Sequence, residues 1–270
     1  MRIAIPALVA AVSVAAYAGS RPREAPAGQS SAGDHRRTPV LVELFTSEGC
    51  SSCPPADRLL AELLSQQPVE GAEIVALGEH VDYWNRLGWR DPFSAHQFSD
   101  RQNAYASGVF ATSQIYTPQT VVDGKYETIG SDRPKLLEAI RRAATDAHPL
   151  ALTIAPAWQG GKLVATMRAT MPRPLRGDAN VLLAVTEDGL SSAVSAGENA
   201  GYRLTHAAVA RSVQRAGSIA RGRSDASLQS TEPLDAAWAR DRLRVVCFVQ
   251  ERSAPRILAV AASTVPHGSS

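Results

Sequence analysis

The sequence predicts an α/β domain over residues 38–149 followed by a mainly antiparallel, β-sandwich-like domain over 150–265. Three observations predict it. From Val40 the pattern runs strand, helix, strand, with two cysteines at the first turn. After His148-Pro149 the texture changes to short strand-like runs separated by Gly, Pro, Asn and Asp turns, the spacing of a sandwich. The chain's 270 residues also suit two domains better than one. Because a C-x-x-C beside a βαβ pattern is the sequence sign of a thioredoxin-like redox site, the first domain is read as thioredoxin-like.

Each element has its own signal. "VLVELFT" is a short run of branched and aromatic residues, the profile of a strand buried on both faces. The helix after it opens with Pro54 and Pro55, tolerated in a first turn where their missing N–H groups are not needed, and carries Leu59, Leu60, Leu63 and Leu64 at helical spacing. "AEIVALGEHVDYW" is the second strand. A loop to Phe93 and a helix from about Ser94 to Ser107 follow. "TPQTVVDGKYETIG" reads as a hairpin turned by Asp123-Gly124, and "SDRPKLLEAIRRAATDA" as a helix capped by Ser131 or Asp132. Beyond residue 149, "ALTIAP", "KLVATMRAT", "NVLLAVTED", "LTHAAVARSV", "LRVVCFVQE" and "RILAVAAS" are the strand-like runs, with "EDGLSSAVSAGENAG" a long loop between them.

The first 20 residues hold one arginine, an apolar run from Ile3 to Ala16 and Ala16-Tyr17-Ala18, which fits an A-x-A cleavage site. Residues 1–18 are therefore expected to be a secretory signal peptide and 19–37 a disordered lead-in too polar to bury itself. The expected product is periplasmic or secreted, without a stable membrane anchor. Net charge is +2 with no basic block, which argues against nucleic acid as a partner.

Export permits disulfides, yet there are only three cysteines, Cys50, Cys53 and Cys247, so a disulfide-rich scaffold is excluded. The Cys50–Cys53 pair could be a redox centre, half of a zinc site or an inert staple. Zinc needs four ligands and no second Cys or His pair is spaced to supply them, so no metal is expected. For redox work the placement has a purpose: the start of a helix favours the thiolate, the species that attacks. Cys50 is the expected attacking sulfur. Cys53, one turn further in, is the expected resolving thiol. Cys247 alternates with Leu243, Val245 and Val249 on one strand face and is read as a buried free thiol.

Four segments together, "VELFTSEGCSSCPPAD", "HVDYWNRLGWRDPFS", "RQNAYA" and "YTPQTVVDG", resemble the exported bacterial proteins of the Domain of Unknown Function 1223 family. That resemblance implies a thioredoxin-like fold from Val40 onward. It further implies that Thr117-Pro118 is a cis bond facing the cysteines, where Thr117 offers backbone groups to an extended substrate. Glu43 falls where thioredoxin has a buried acid that moves the resolving cysteine's proton, with one extra residue between it and Cys50. Gly49 stands where thioredoxin has tryptophan.

"HVDYWNRLGWRDPF" gathers charge and two tryptophans just past a strand end, where open α/β sheets bind ligands. Trp84 and Trp89 are candidates for a substrate wall, and equally for the packing of a loop. His80 and Asp82, two apart on one strand face, lack a third ligand. His206 reads as a half-buried strand residue. The expected function is thiol–disulfide exchange on protein or peptide thiols and disulfides, reset by a redox partner and needing no cofactor. The rival is a non-catalytic binding module of the cell envelope with a structural disulfide; a peroxidase is a third class.

Overall fold

In the computed structural model, which describes residues 37–146 and 148–266, the run after Arg37 forms β1, Thr38–Thr46. The expected signal peptide, and the expected lead-in apart from Arg37, lie outside the described residues. The pair of prolines opens α1, Pro54–Gln66, with Cys53 as its N-cap. Strand β2, Ala72–His80, returns parallel to β1 in register from Thr38↔Ala72 to Thr46↔His80. Helix α2, His96–Gly108, starts two residues later than the sequence suggests. β3, Gln119–Val122, runs antiparallel to β1 and pairs with β4, Tyr126–Ile129; α3, Arg133–Thr145, is capped by the Asp132 side chain accepting from Lys135 N.

Period-two alternation splits β1 between two cores. Val40, Val42 and Leu44 pack with Leu59, Leu60 and Leu63 of α1 and with Leu136 and Ile140 of α3. Leu41 and Phe45 face the other way, into separate clusters. At the far end of α1, Gln67 sits in the left-handed region (φ 48°), and its side-chain amide bonds both the N–H and the C=O of Ile74. That amide stands in for a neighbouring strand.

The remaining strands are β5 (Ala151–Gln159), β6 (Lys162–Thr170), β7 (Ala179–Glu187), β8 (Leu190–Ala193), β9 (Arg203–His206), β10 (Val209–Ile219), β11 (Asp225–Glu232), β12 (Leu243–Glu251) and β13 (Ile257–Thr264). They correct the expected fold class. An α/β thioredoxin-like domain followed by a β-sandwich-like domain is not what forms: the described residues are 42% strand and 20% helix, built on one mixed eight-stranded sheet with three α-helices. Its order is β13-β12-β7-β10-β2-β1-β3-β4, so strands from both sides of residue 149 share it. β11-β6-β5 form a second sheet, whose Leu163, Ala165 and Met167 pack on Val181, Leu183, Val245 and Cys247 of the first. Cys247 is free and buried there, and burial pushes its thiol up to about 12. β8 and β9 make a hairpin of their own outside both sheets.

The seam between the two halves is narrow. β10 meets β2 at Val209↔Gly78, and Gly78 N–H donates to Ala208 O at 2.8 Å. A Cβ at position 78 would sit 3.3 Å from the Ala207 carbonyl, tighter than most side chains accept. One glycine lets two strand systems fuse, and no pattern of hydrophobicity announces that.

The Asp123-Gly124 turn forms with both residues at positive φ (48° and 62°), in a three-residue loop because Val122 pairs with Tyr126. It also locks the sheet: Leu41 N–H donates to Asp123 Oδ1, and Ile257 N–H donates to Asp123 O. A Cβ on Gly124 would lie 2.1 Å from Pro255 O. Gly124→Ala is therefore expected to cost roughly 2–4 kcal/mol, from left-handed strain plus overpacking. Urea denaturation reads this directly, and an unchanged midpoint would remove the turn's contact with the Pro255 segment from the account.

Candidate functional site

The chain leaves β1 in two successive turns, Cys50 N–H donating to Ser47 O (3.1 Å) and Cys53 N–H to Cys50 O (3.2 Å). These turns bring the cysteines together as a disulfide with Cα atoms 5.4 Å apart. Of the helix's opening N–H groups, Pro54 and Pro55 have none, while Ala56 and Asp57 both donate to Cys53 O. The helix thus offers Cys50 its dipole, and the hydroxyl of Ser52 lies 3.3 Å from the sulfur. Both cysteines are 0% exposed, so the attacking sulfur expected from sequence is sealed in this state.

Three segments make the seal. Thr117 O lies 3.8 Å from Cys50 Sγ, and the Thr117-Pro118 bond is cis with Pro118 buried. Trp84 Nε1 donates to Thr117 Oγ1 at 2.8 Å, and the Trp84 Cβ would be 3.1 Å from a Cβ at position 49. That close approach explains glycine there. From the β8–β9 hairpin, Asn199 Nδ2 donates to Glu48 O (2.8 Å) and to Cys50 O (2.9 Å), and Glu198 accepts from Ser51 N–H at 2.9 Å.

Behind the disulfide lies a buried set of ionisable groups. Glu48, 0% exposed, accepts from Trp89 Nε1 (2.8 Å), His206 Nε2 (2.9 Å) and Ser192 Oγ. His206 Nδ1 points to within 3.8 Å of Asp57 Oδ2 and has no hydrogen-bond partner among the described residues. His80 meets His206 edge to face (centroids 4.7 Å) and its Nδ1 lies 2.7 Å from Asp91 Oδ2. Asp91 also accepts from Glu48 N–H, which ties this pair to the cysteine loop. Asp57 sits one helical turn beyond Cys53, so the two side chains share a face of α1. Burial pushes its carboxyl up, and the charges of His206 and His80 only partly oppose that. An acid poised in this way can give and take a proton.

Glu43 goes elsewhere. It lies on the Leu41–Phe45 side of β1, away from α1, where Arg101 Nε (2.5 Å) and Tyr105 OH (2.5 Å) donate to its two oxygens. Glu79 shares that pocket, and burial together with the Glu43 charge holds its carboxyl well above the usual range despite Arg101 at 3.4 Å. The structure therefore brings Cys50, Cys53, Thr117, Pro118 and Trp84 together, sets Trp89 behind them on Glu48, and leaves Glu43 on the opposite face. His80 and Asp82 part as well, Asp82 accepting from Ser99 Oγ at 2.5 Å. Sequence reasoning missed Glu48, Asp57, Ser192, Asn199 and the contacts of His206, while Asp91 belongs to the charged segment it expected beside the cysteines. Asp57 left a trace: it falls at i, i+3 and i+7 with Leu60 and Leu64, a carboxylate on an apolar stripe.

A sheet-rich protein with a disulfide at the head of its first helix, closed over by a hairpin and backed by paired histidines and carboxylates, is the class that fold and site define. The chain belongs to the DUF1223 family, described as a protein of unknown function, whose model matches residues 41–250. Among solved structures it is similar to a structural-genomics protein of Agrobacterium tumefaciens, at 23% identity over 86% of this chain and 99% of that one, TM-score 0.60. It is also similar to HBP35 of Porphyromonas gingivalis, at 13% identity over 85% of this chain and 76% of that one, TM-score 0.60. At these identities the likeness is one of fold. No curated protein matches the chain.

The His80–Asp91 pair sets a pH dependence. Burial pulls the imidazole down, but the Asp91 charge and hydrogen bond outweigh it and hold His80 above 6.5; burial pushes Asp91 up, but His80 outweighs that and holds it below 3.8. The imidazolium's contribution is complete below pH 6.5 and is lost as pH rises through the raised value; the carboxylate's is present above pH 3.8 and lost below it. His80→Ala should therefore cost roughly 3–5 kcal/mol near pH 6, by leaving Asp91 buried and unpaired, and less at pH 9. Urea denaturation of both proteins at pH 6 and 9 tests this, a constant gap being the contrary result.

Proposed function

We propose that this chain is an exported thiol–disulfide oxidoreductase that exchanges the Cys50–Cys53 disulfide with protein or peptide thiols. The observation that carries the reading is the company the disulfide keeps: a helix N-terminus beside it, the Thr117 carbonyl 3.8 Å from Cys50 Sγ, and one turn behind Cys53 a buried Asp57 whose carboxyl is pushed up by burial. A staple needs none of these, and burying such groups costs stability. In the oxidising direction a substrate thiolate attacks Cys50 Sγ. The Cys50–Cys53 bond breaks, and Cys53 leaves as a thiolate that takes the proton of Asp57. A second substrate thiolate then attacks the mixed disulfide, forming the substrate disulfide and releasing Cys50. Two electrons pass from substrate to protein, and a disulfide-bearing partner returns the pair to its oxidised form. The reductive direction is the same sequence reversed. Thr117 and Pro118 border the substrate's approach, with Trp84 holding Thr117 in place.

A second reading has its own observation. Both cysteines are 0% exposed, as befits a structural disulfide in a non-catalytic binding module. The two readings part experimentally. With Cys53 replaced by Ala in the exported chain, exchange leaves mixed disulfides at Cys50 that release on reduction; an empty trap, with a reduction potential below about −300 mV and no alkylation of Cys50 under mild reductant, leaves the binding module standing.

Within the exchange reading, Asp57→Asn is expected to slow release of Cys53 by roughly tenfold or more and to remove one step from the pH–rate profile. A profile identical to that of the unaltered chain would take the proton transfer away from Asp57.

A further inference from the structure

The β8–β9 hairpin is built like a part meant to come away. Its four register pairs, Leu190↔His206 to Ala193↔Arg203, join it to no other strand. A lone two-stranded ladder is marginally stable in water. Among the described residues, none from Leu190 to His206 belongs to the four apolar clusters that hold the rest of the chain. Its apolar attachment is small, Val194 being buried and the His206 ring meeting Phe93 edge to face, and its hydrogen bonds fall on the cysteine loop. At its base Ser192 and His206 bond the Glu48 carboxylate. At its tip, turned by Gly197 (φ 75°) and Gly201 (φ 87°), Asn199 and Glu198 bond the cysteine loop. Gly197 lies against Trp89, where a Cβ would come within 3.2 Å of that residue's Cβ.

The fastening falls where exchange needs room. Ser51 and Ser52 are exposed, so solvent reaches the loop at both serines, yet Cys50 just before them is sealed. Asn199, 5% exposed, spends both amide hydrogens on the carbonyls of Glu48 and Cys50, and thereby holds its own backbone across them. Glu198 brings a carboxylate to the Ser51 N–H, just ahead of α1. Negative charge at that place competes with a thiolate at Cys50 for the same helix field.

We infer that the hairpin tip, Val194–Tyr202, is an autoinhibitory cap: Asn199 and Glu198 latch it over Cys50, and the disulfide becomes reachable when the tip lifts. This deepens the exchange reading and rests on it for its purpose. Structural elements fastened by few, mostly polar contacts open at lower free-energy cost than the core, which lets the cap lift without unfolding the sheets. The Glu198 carboxylate leaves with the tip, so one movement uncovers the sulfur and removes the charge that competes with its anion.

The test reads access alone. The oxidised full chain is exposed to dithiothreitol in native buffer, quenched in denaturant and thiol-tagged, the count rising from one (Cys247) to three as the Cys50–Cys53 bond opens. Asn199→Ala, losing two hydrogen bonds, should be reduced roughly tenfold faster than the unaltered chain. Glu198→Gln, at an exposed position that leaves the fold intact, should be reduced roughly two- to fivefold faster. Rates equal to that of the unaltered chain in both variants overturn the cap. Faster reduction in the variants alongside an empty Cys53→Ala trap would leave the cap standing and remove protein exchange, so the two failures are told apart.

Discussion

The Glu48 carboxylate is the constraint from which the site follows. It is wholly buried in the turn between β1 and the cysteines, and a polar group in such a place must find hydrogen-bond partners. The chain finds them in three distant segments: Trp89 from the loop after β2, Ser192 from β8, and His206 from β9. Satisfying one side chain thus draws the aromatic loop and the hairpin onto the disulfide. Its own N–H, donated to Asp91, brings the His80 pair in as well. Had an apolar residue stood at position 48, the hairpin would have no charged anchor on the cysteine loop and the Trp89 indole no acceptor.

The same anchor gathers histidines and carboxylates behind the sulfur. His80 pairs with Asp91 and meets His206 edge to face, and His206 lies between Glu48 at 2.9 Å and Asp57 at 3.8 Å, so each imidazole has a carboxylate beside it. His206 Nδ1 lies 3.8 Å from Asp57, beyond hydrogen-bond reach. Burial therefore outweighs the charges of His206 and His80 and pushes the Asp57 carboxyl up. A raised carboxyl beside Cys53 suits the proton transfer proposed for it.

What sequence reading could and could not find divides by distance along the chain. Local chemistry was legible: the prolines at the head of α1, the Asp132 cap, the Asp123-Gly124 turn and the apolar face holding Cys247 all follow from neighbours a few residues apart. The cis Thr117-Pro118 bond came from resemblance. The joining of the two halves was not legible, because its strand pairing depends on Gly78 admitting Ala208 and its packing on Leu41 and Leu77 meeting Val246 and Phe248, far apart in the chain. β8 and β11 escaped notice for a related reason: "LSSA", read as part of a long loop, and "DASLQSTE", given no element, are half-exposed strands with few branched residues. Glu43 was misplaced by period two itself. A position that matches a motif in sequence still points to whichever side of the strand its parity dictates, and here that side holds Arg101 and Tyr105.

The sealed disulfide and the poised acid behind it look contradictory only if the site has one state. The hydrogen bonds that hold the hairpin tip on the cysteine loop are those of Asn199 and Glu198, and those of Asn199 fall on carbonyls that water could satisfy once the tip lifts. The two cores flanking β1, with Leu44 and Ala56 in one and Phe45 in the other, are apolar, and opening them would carry the full hydrophobic cost. On the proposed cap, opening is directional: the path through the hairpin tip leads to Cys50. Cys53, with Asp57 one turn beyond it on α1, is buried, which is the division of labour the proposed attacking and resolving sulfurs require.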